Sequence, residues 1–315
     1  MEVLWIILGI IAGLTLLFFL ITYICFFITF YVTRRQKKVK DFNLPKGEIY
    51  KPFHGKMLEW MKETKTIPHE EIYIQSFDGL KLFGKYYECE KGAPIELMFH
   101  GYRGNAERDL CGGIQRCFAL KRNVLIVDQR GSGKSGGRVI SFGINESKDC
   151  ERWIEYLVNR FDEKQKIYLT GVSMGASTVL IASAKQYPSN VVGVVADCGY
   201  SSAKDIIKKC VKDMHLPVNV TYFFIKLGAK IFGKFNLEET SPVEAMRNCK
   251  IPVMFFHGED DDFVPCYMSK INYDASVTYK KLITIPNAGH GLSYLADPKT
   301  YLDALKEFEN QIEKI

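Results

Sequence analysis

Gly171-Val172-Ser173-Met174-Gly175 follows the apolar run Ile167–Thr170 and leads into a stretch of helical character. A serine on so tight a strand-to-helix turn needs neighbours without bulk two residues to either side. The following helix then points its N-terminus, and a partial positive charge, at the hydroxyl. Such a serine can attack a carbonyl carbon once a base takes its proton and an acid holds the base in the right tautomer. The chain has six histidines: His54, His69, His100, His215, His257 and His290. The expected chain order is serine, acid, histidine. Glu259-Asp260-Asp261-Asp262 follows the apolar run Ile251–Phe256, and an acid there leaves His290 as the one later histidine. Gly289 and Gly291 flank it and free its loop to swing toward the serine. Asp197, after the preceding run, is a further candidate acid. A divalent-metal site from Asp260, Asp261 and Asp262 is set aside, because nothing else in the chain supplies matched ligands.

Positioning such a constellation is the task of a sheet. Ile72 and Ile74 alternate with polar neighbours, Asp78-Gly79 turns the chain, and Leu80, Leu82, Gly84 and Tyr86 continue the alternation, which predicts a β-hairpin. Short apolar runs without alternation then recur at Ile95–Phe99, Val124–Val127, Ile167–Thr170, Val191–Ala196, Ile251–Phe256 and Leu282–Ile285. These read as strands buried on both faces. Helix-length segments separate them: Asn105–Leu120, Glu146–Arg160, Met174–Gln186, Cys266–Ala275 and Lys299–Ile312. The alternation predicts an α/β class with a mostly parallel sheet and helices on both faces.

The acidic turn now becomes specific. His257, Gly258, Asp261, Val264 and Pro265 resemble the H-G-x-x-D-x-x-V-P segment of the alpha/beta-hydrolase superfamily, in its lipase/esterase and serine-peptidase-like branches. Phe99-His100-Gly101-Tyr102-Arg103-Gly104 after the third strand and Asp128–Gly136 after the fourth add to the likeness, which covers roughly residues 71–313. The resemblance implies an alpha/beta-hydrolase fold, with Ser173 as nucleophile, His290 as base and Asp261 as acid. An oxyanion hole needs two backbone N–H groups, expected from Met174 after the nucleophile and from Tyr102 behind His100-Gly101. His100 itself reads as a brace for that loop. Gly131-Ser132-Gly133-Lys134-Ser135 is similar to a phosphate loop, but Asp128 stands where the first glycine must be, so it reads as a turn near the site. This chemistry calls for no metal and no organic cofactor.

Composition bounds the rest. The chain has 315 residues, of which 47% are hydrophobic and 25% charged, which excludes a disordered chain, a collagen-like repeat and a small disulfide scaffold. Its nine cysteines form no C-x-x-C pairs and read as reduced thiols. From Val3 to Thr33 no residue is charged, longer than the ~30 Å hydrocarbon core requires at about 1.5 Å per residue. No second segment of this kind exists, which excludes a many-span transporter. Met1-Glu2 lacks the basic start of a signal peptide, so an uncleaved transmembrane helix is expected. Arg34, Arg35, Lys37, Lys38 and Lys40 come directly after it, and the positive-inside rule puts the C-terminal domain in the cytoplasm, as part of a single-pass membrane protein. The net charge of +6 concentrates there and in residues 203–235, which points to a membrane surface and not to nucleic acid.

The expected organisation is therefore residues 1–40 as transmembrane helix and basic juxtamembrane segment, residues 41–70 as linker with one short helix (Lys56–Lys62), and residues 71–315 as the hydrolase domain. The long segment between Val191–Ala196 and Ile251–Phe256 far exceeds a normal connection and resembles the lid of this superfamily, which implies a helical lid insert at about 203–240. Within it Tyr222, Phe223, Phe224, Ile225, Leu227, Ile231 and Phe232 surround a stripe of Lys226, Lys230 and Lys234. A helix so apolar must be buried, or face lipid or an acyl chain. The expected activity is cleavage of carboxylic esters or thioesters with apolar acyl groups, through an acyl-enzyme, near the membrane. The alternatives are a serine peptidase acting on short peptides, aminopeptidase-like, and a non-catalytic scaffold that keeps the fold.

Overall fold

The structure, a computed structural model, describes residues 1–37 and 42–314. Lys38 and Lys40 of the expected basic segment lie outside the described residues. Eight strands form one sheet: β1 (Glu70–Gln75), β2 (Lys81–Tyr87), β3 (Ile95–Phe99), β4 (Asn123–Asp128), β5 (Ile167–Val172), β6 (Val191–Asp197), β7 (Val253–Gly258) and β8 (Lys280–Ile285). Their order is β1-β2-β4-β3-β5-β6-β7-β8. The hairpin pairs antiparallel, β2 joins β4 antiparallel, and every later pairing is parallel. All residues of β3, β4 and β7 are buried, as strands covered on both faces require. Strand β7 starts at Val253 and not at Ile251, because Pro252 has no N–H to give the ladder. The one charge in β3, Glu96, is buried between Arg116 and Arg122. Burial opposes its ionisation, and the two guanidiniums outweigh that and hold its carboxyl below the usual range.

The helices are α1 (Glu2–Thr29), α2 (Arg34–Lys37), α3 (His54–Thr66), α4 (Ala106–Asp109), α5 (Cys111–Ala119), α6 (Ile144–Arg160), α7 (Met174–Ala182), α8 (Ala203–Asp213), α9 (Val218–Ile231), α10 (Pro242–Met246), α11 (Tyr267–Ala275), α12 (Ser293–Ala296) and α13 (Pro298–Ile312). The expected helix Asn105–Leu120 is broken at Leu110 into α4 and α5, with the Asn105 side chain capping the first. Parallel register sets Phe99, Gly171, Ala196 and Phe255 side by side on β3, β5, β6 and β7. The loops after those strands therefore emerge together at the carboxyl end of the sheet. That is how residues far apart in sequence meet.

Helix α1 is long and apolar enough to cross a membrane. Its last turns are part of the folded body. Thr22 and Phe26 are buried, Val32 N–H donates to Arg138 O at 2.8 Å, and Ile140 N–H donates to Phe30 O at 2.9 Å. Helix α9 lies along it. A methyl group on Gly228 would come within 2.9 Å of Phe26 Cβ, so the two helices approach as closely as glycine permits.

Candidate active site

Two backbone contacts make the serine turn. A Cβ on Gly171 would fall 2.1 Å from Gly175 O, and one on Gly175 would fall 2.1 Å from Phe99 O. Only glycines allow strand β5, the turn and helix α7 to close this tightly. Ser173 between them is held at φ 58°, ψ −120°, a strained conformation for a residue with a side chain. Its N–H donates to Asp197 O at 2.8 Å, which pins the turn to the end of β6.

The loops after β7 and β8 bring the other side chains to this hydroxyl. His290 Nε2 lies 2.9 Å from Ser173 Oγ, and His290 Nδ1 lies 2.7 Å from Asp261 Oδ2. An ionised Asp261 can only accept, so Nδ1 carries the proton and Nε2 faces the hydroxyl with its lone pair. Asp261 Oδ1 accepts from the N–H groups of Phe263 and Val264 at 2.9 and 2.8 Å. Burial opposes the Asp261 charge, yet hydrogen bonds from His257, His290 and Val264 N–H outweigh it and hold the carboxyl down to about 2. His257 is wholly buried and donates from Nε2 to Val264 O at 2.7 Å, so its part is to shape the acidic turn. The Tyr50 hydroxyl, pushed up to about 12 by burial and by the Asp261 charge, donates to His290 O at 3.1 Å.

Asp197 does not reach the histidine. Its carboxylate accepts from Ser293 Oγ at 2.7 Å, and burial raises it above the ordinary aspartate range. Glu259 accepts from Thr284 Oγ1. Among the described residues, one group could gather around a metal: Cys198, Asp261 and His290. Two of its members are already bonded to each other, and Asp260 and Asp262 are not in it.

Met174 is the first residue of α7, where a helix leaves its N–H groups without intrahelical partners. The loop 100–102 lies against the serine, since a Cβ on Gly101 would be 3.5 Å from Ser173 Cβ. His100 braces it by accepting from Gln129 N–H at 3.0 Å. The Tyr102 side chain donates to Thr29 O. In the Asp128–Gly136 loop, Asp128 accepts from the N–H groups of Ala106 and Lys134, so the acid that replaces the Walker glycine serves as the loop's own anchor.

A cavity of about 360 Å³ opens beside Ser173 and His290. Its apolar wall includes Leu44, Met57, Trp60, Leu110, Val172 and Tyr294. Three of these come from residues 43–60, the segment that reads as a linker in the sequence. None of the lining residues comes from 203–240, the expected lid. That insert packs on α1 instead, with Phe223 and Phe224 against Phe18 and Phe232 against Phe26. Its lysine stripe is broken, because Lys226 pairs with Glu238 and Lys234 lies beyond the end of α9. Sequence reasoning missed the covering segment because Pro45, Gly47, Pro52 and Gly55 read as breakers. Met57, Trp60 and Met61 at helical spacing were the available signal.

Residues 97–214 match the alpha/beta hydrolase fold family. Protein bem46 of Schizosaccharomyces pombe is 29% identical over 257 residues, which cover 78% of this chain and 79% of that one. The uncharacterized protein YqkD of Bacillus subtilis is 29% identical over 191 residues, covering 59% of this chain and 61% of its own length, so the match spans less than two thirds of that relative. Among solved structures, the Pyrococcus furiosus esterase Pf2001 superposes with a TM-score of 0.65 at 22% identity, over 79% of this chain and 93% of that one. Mouse alpha/beta hydrolase domain-containing protein 10 superposes with a TM-score of 0.56 at 18% identity, over 77% and 99%. The family match spans the serine turn, and the likeness to these structures over most of the chain shows an alpha/beta-hydrolase fold.

Proposed function

We propose that the protein is a membrane-anchored serine hydrolase that cleaves carboxylic esters or thioesters bearing an apolar acyl group. The observation that carries this reading is the hydrogen-bonded series Ser173–His290–Asp261 beside a mostly apolar cavity. Ser173 Oγ attacks the acyl carbonyl as its proton passes to His290 Nε2, and the Asp261 carboxylate stabilises the imidazolium. The N–H groups of Met174 and Tyr102 receive the charge that develops on the carbonyl oxygen, where loss of one donor costs ~10²–10³ in turnover. The tetrahedral species collapses, the alcohol or thiol leaves with the His290 proton, and the acyl group stays on Ser173. Water then attacks the acyl-enzyme and gives its proton to His290. Collapse releases the carboxylic acid and returns the proton to Ser173.

The anchor is α1, which at ~1.5 Å per residue is longer than a bilayer's ~30 Å core. The described cations Arg34, Arg35 and Lys37 lie just beyond it and favour a cytoplasmic catalytic domain. Exposed Cys89 allows a check. A membrane-impermeant maleimide should label it only after cells are opened, and labelling on intact cells reverses the orientation.

A peptidase reading finds two acids in the cavity, Asp109 and Asp197. Asp109 is paired with Arg108. The Asp197 carboxyl is engaged by Ser293, and burial opposes the charge an ammonium group would need. A panel of esters, thioesters and short peptides, assayed on the detergent-solubilised full chain with Ser173→Ala as control, decides between them. Apolar acyl esters or thioesters should turn over fastest. Preferential cleavage of peptides would reject the acyl-substrate reading.

A further inference from the structure

The end of helix α1 exposes backbone carbonyls that have no intrahelical N–H to accept, and the helix dipole gives them partial negative charge. Three carbonyls at this end are held by two consecutive side chains of the candidate oxyanion loop. Tyr102 Oη donates to Thr29 O at 2.7 Å. Arg103 Nη2 donates to Ile28 O at 2.6 Å and to Tyr31 O at 3.1 Å. Arg103 adopts φ +54°, and its guanidinium lies over the Tyr102 ring, 5.0 Å from the centroid. The Tyr102 ring packs on Phe142 at 5.1 Å, and Phe142 packs edge-on against Phe30 at 5.8 Å. The tip of the loop is therefore gripped by these bonds and ring contacts, while His100 braces its base.

We infer that the side chains of Tyr102 and Arg103 are positioning groups that fix the oxyanion loop against the end of the anchor helix, so that the membrane anchor is part of the catalytic geometry and not a detachable tether. The inference rests on the hydrolase reading and deepens it. A backbone N–H stabilises a developing oxyanion only if it is aimed before the reaction begins. A loop of several residues with a strained arginine does not hold such an aim by itself. A helix end does, because its carbonyls are fixed by the turns behind them, and α9 packs on those turns through Gly228. The grip is also charge-matched, a guanidinium against the negative end of a helix.

The test uses the full chain in detergent. Tyr102→Phe removes only the Oη bond to Thr29 and keeps both the ring packing and the backbone N–H. Arg103→Met removes the other two bonds and keeps most of the side-chain bulk, and Arg103→Lys restores a cation. A fluorophosphonate titration counts reactive sites, and kcat per reactive site and KM are then measured on one ester. Tyr102→Phe and Arg103→Met should each lower kcat per site by ~10-fold with KM within about 2-fold, as expected for a misaimed group. Arg103→Lys should recover part of the loss. The double variant should lose less than the product of the two, because both act on one loop. A merely structural role would reduce the number of reactive sites and leave kcat per site alone. Unchanged kcat per site in both single variants, with a reactive wild type, overturns the inference. A wild type that resists the probe and every ester overturns the hydrolase reading beneath it.

Discussion

Asp261 holds the histidine because its carboxylate is committed on every side: His290 at one oxygen and two backbone N–H groups at the other, with His257 near the first. This has a consequence for stability. The folded carboxyl sits at about 2, against ~3.9 for a free aspartate. A depressed acid pKa contributes stability that is fully present above the unfolded value and is lost as pH falls through the folded one. For this shift the contribution is on the order of 2 kcal/mol, lost between about pH 4 and pH 2. Asp261→Asn should therefore lower the melting temperature at pH 7 and flatten its fall between pH 4 and pH 2, while turnover drops ~10⁴-fold. Thermal unfolding over a pH series and an ester assay measure both. Full activity in Asp261→Asn, with loss in Asp197→Asn, would move the acid to Asp197. At this scale the sequence was most legible. Glycine spacing marks Ser173, and chain order with a scarcity of histidines marks His290. Choosing between Asp261 and Asp197 needed the family likeness, because one acid ends a buried strand, the other follows one, and nothing local says which one faces the imidazole.

At the scale of elements, the segment before the sheet is the less expected part. Helix α3 lays Trp60 parallel to Tyr294, 5.6 Å between centroids, and Gly112 on α5 leaves room for the ring, since a Cβ there would sit 3.0 Å from it. Trp60 thus closes the apolar cavity from outside the family-matched region. Trp60→Ala should open that wall and move the preferred acyl chain to longer lengths. The ratio of kcat/KM for a long over a short ester should rise ~10-fold, the scale of one or two methylenes in an apolar pocket. The same change should cost ~3 kcal/mol of stability. A chain-length profile that does not shift would remove Trp60 from the specificity wall. The reason the sequence hid this is physical. Pro52 sits in the 3-10 turn Glu48–Phe53 just before α3, a place that tolerates a fixed φ and a missing donor, so a breaker becomes an entry to a helix. The apolar insert had the opposite problem. Its composition requires cover, but periodicity cannot say that the cover is α1, some two hundred residues away.

Across the whole molecule, a parallel sheet collects its loops at one end and a single apolar helix is built into that end. The strands were legible as short apolar runs, and the class follows from their alternation with helices. Their order was not, since buried runs of valine, isoleucine and leucine carry no mark of which neighbour they pair with. Crossing from β2 to β4 before β3 is a property of the whole sheet. The contact of α1 with α9 also fixes where the catalytic body stands. Phe18 touches Phe223 and Phe224, more than two turns before the end of α1. If α1 crosses a bilayer, α9 lies beside it at the lipid boundary. Every one of these roles presupposes that the hydroxyl at the sheet's carboxyl end is a nucleophile. Full-length protein in membranes treated with a fluorophosphonate, digested and mapped by mass spectrometry should carry one adduct, on Ser173. His290→Ala should all but abolish it, and Ser173→Ala should remove it. A folded wild-type chain that stays unmodified, or an adduct on another residue that survives Ser173→Ala, would contradict the hydrolase and leave a scaffold that only shares the fold.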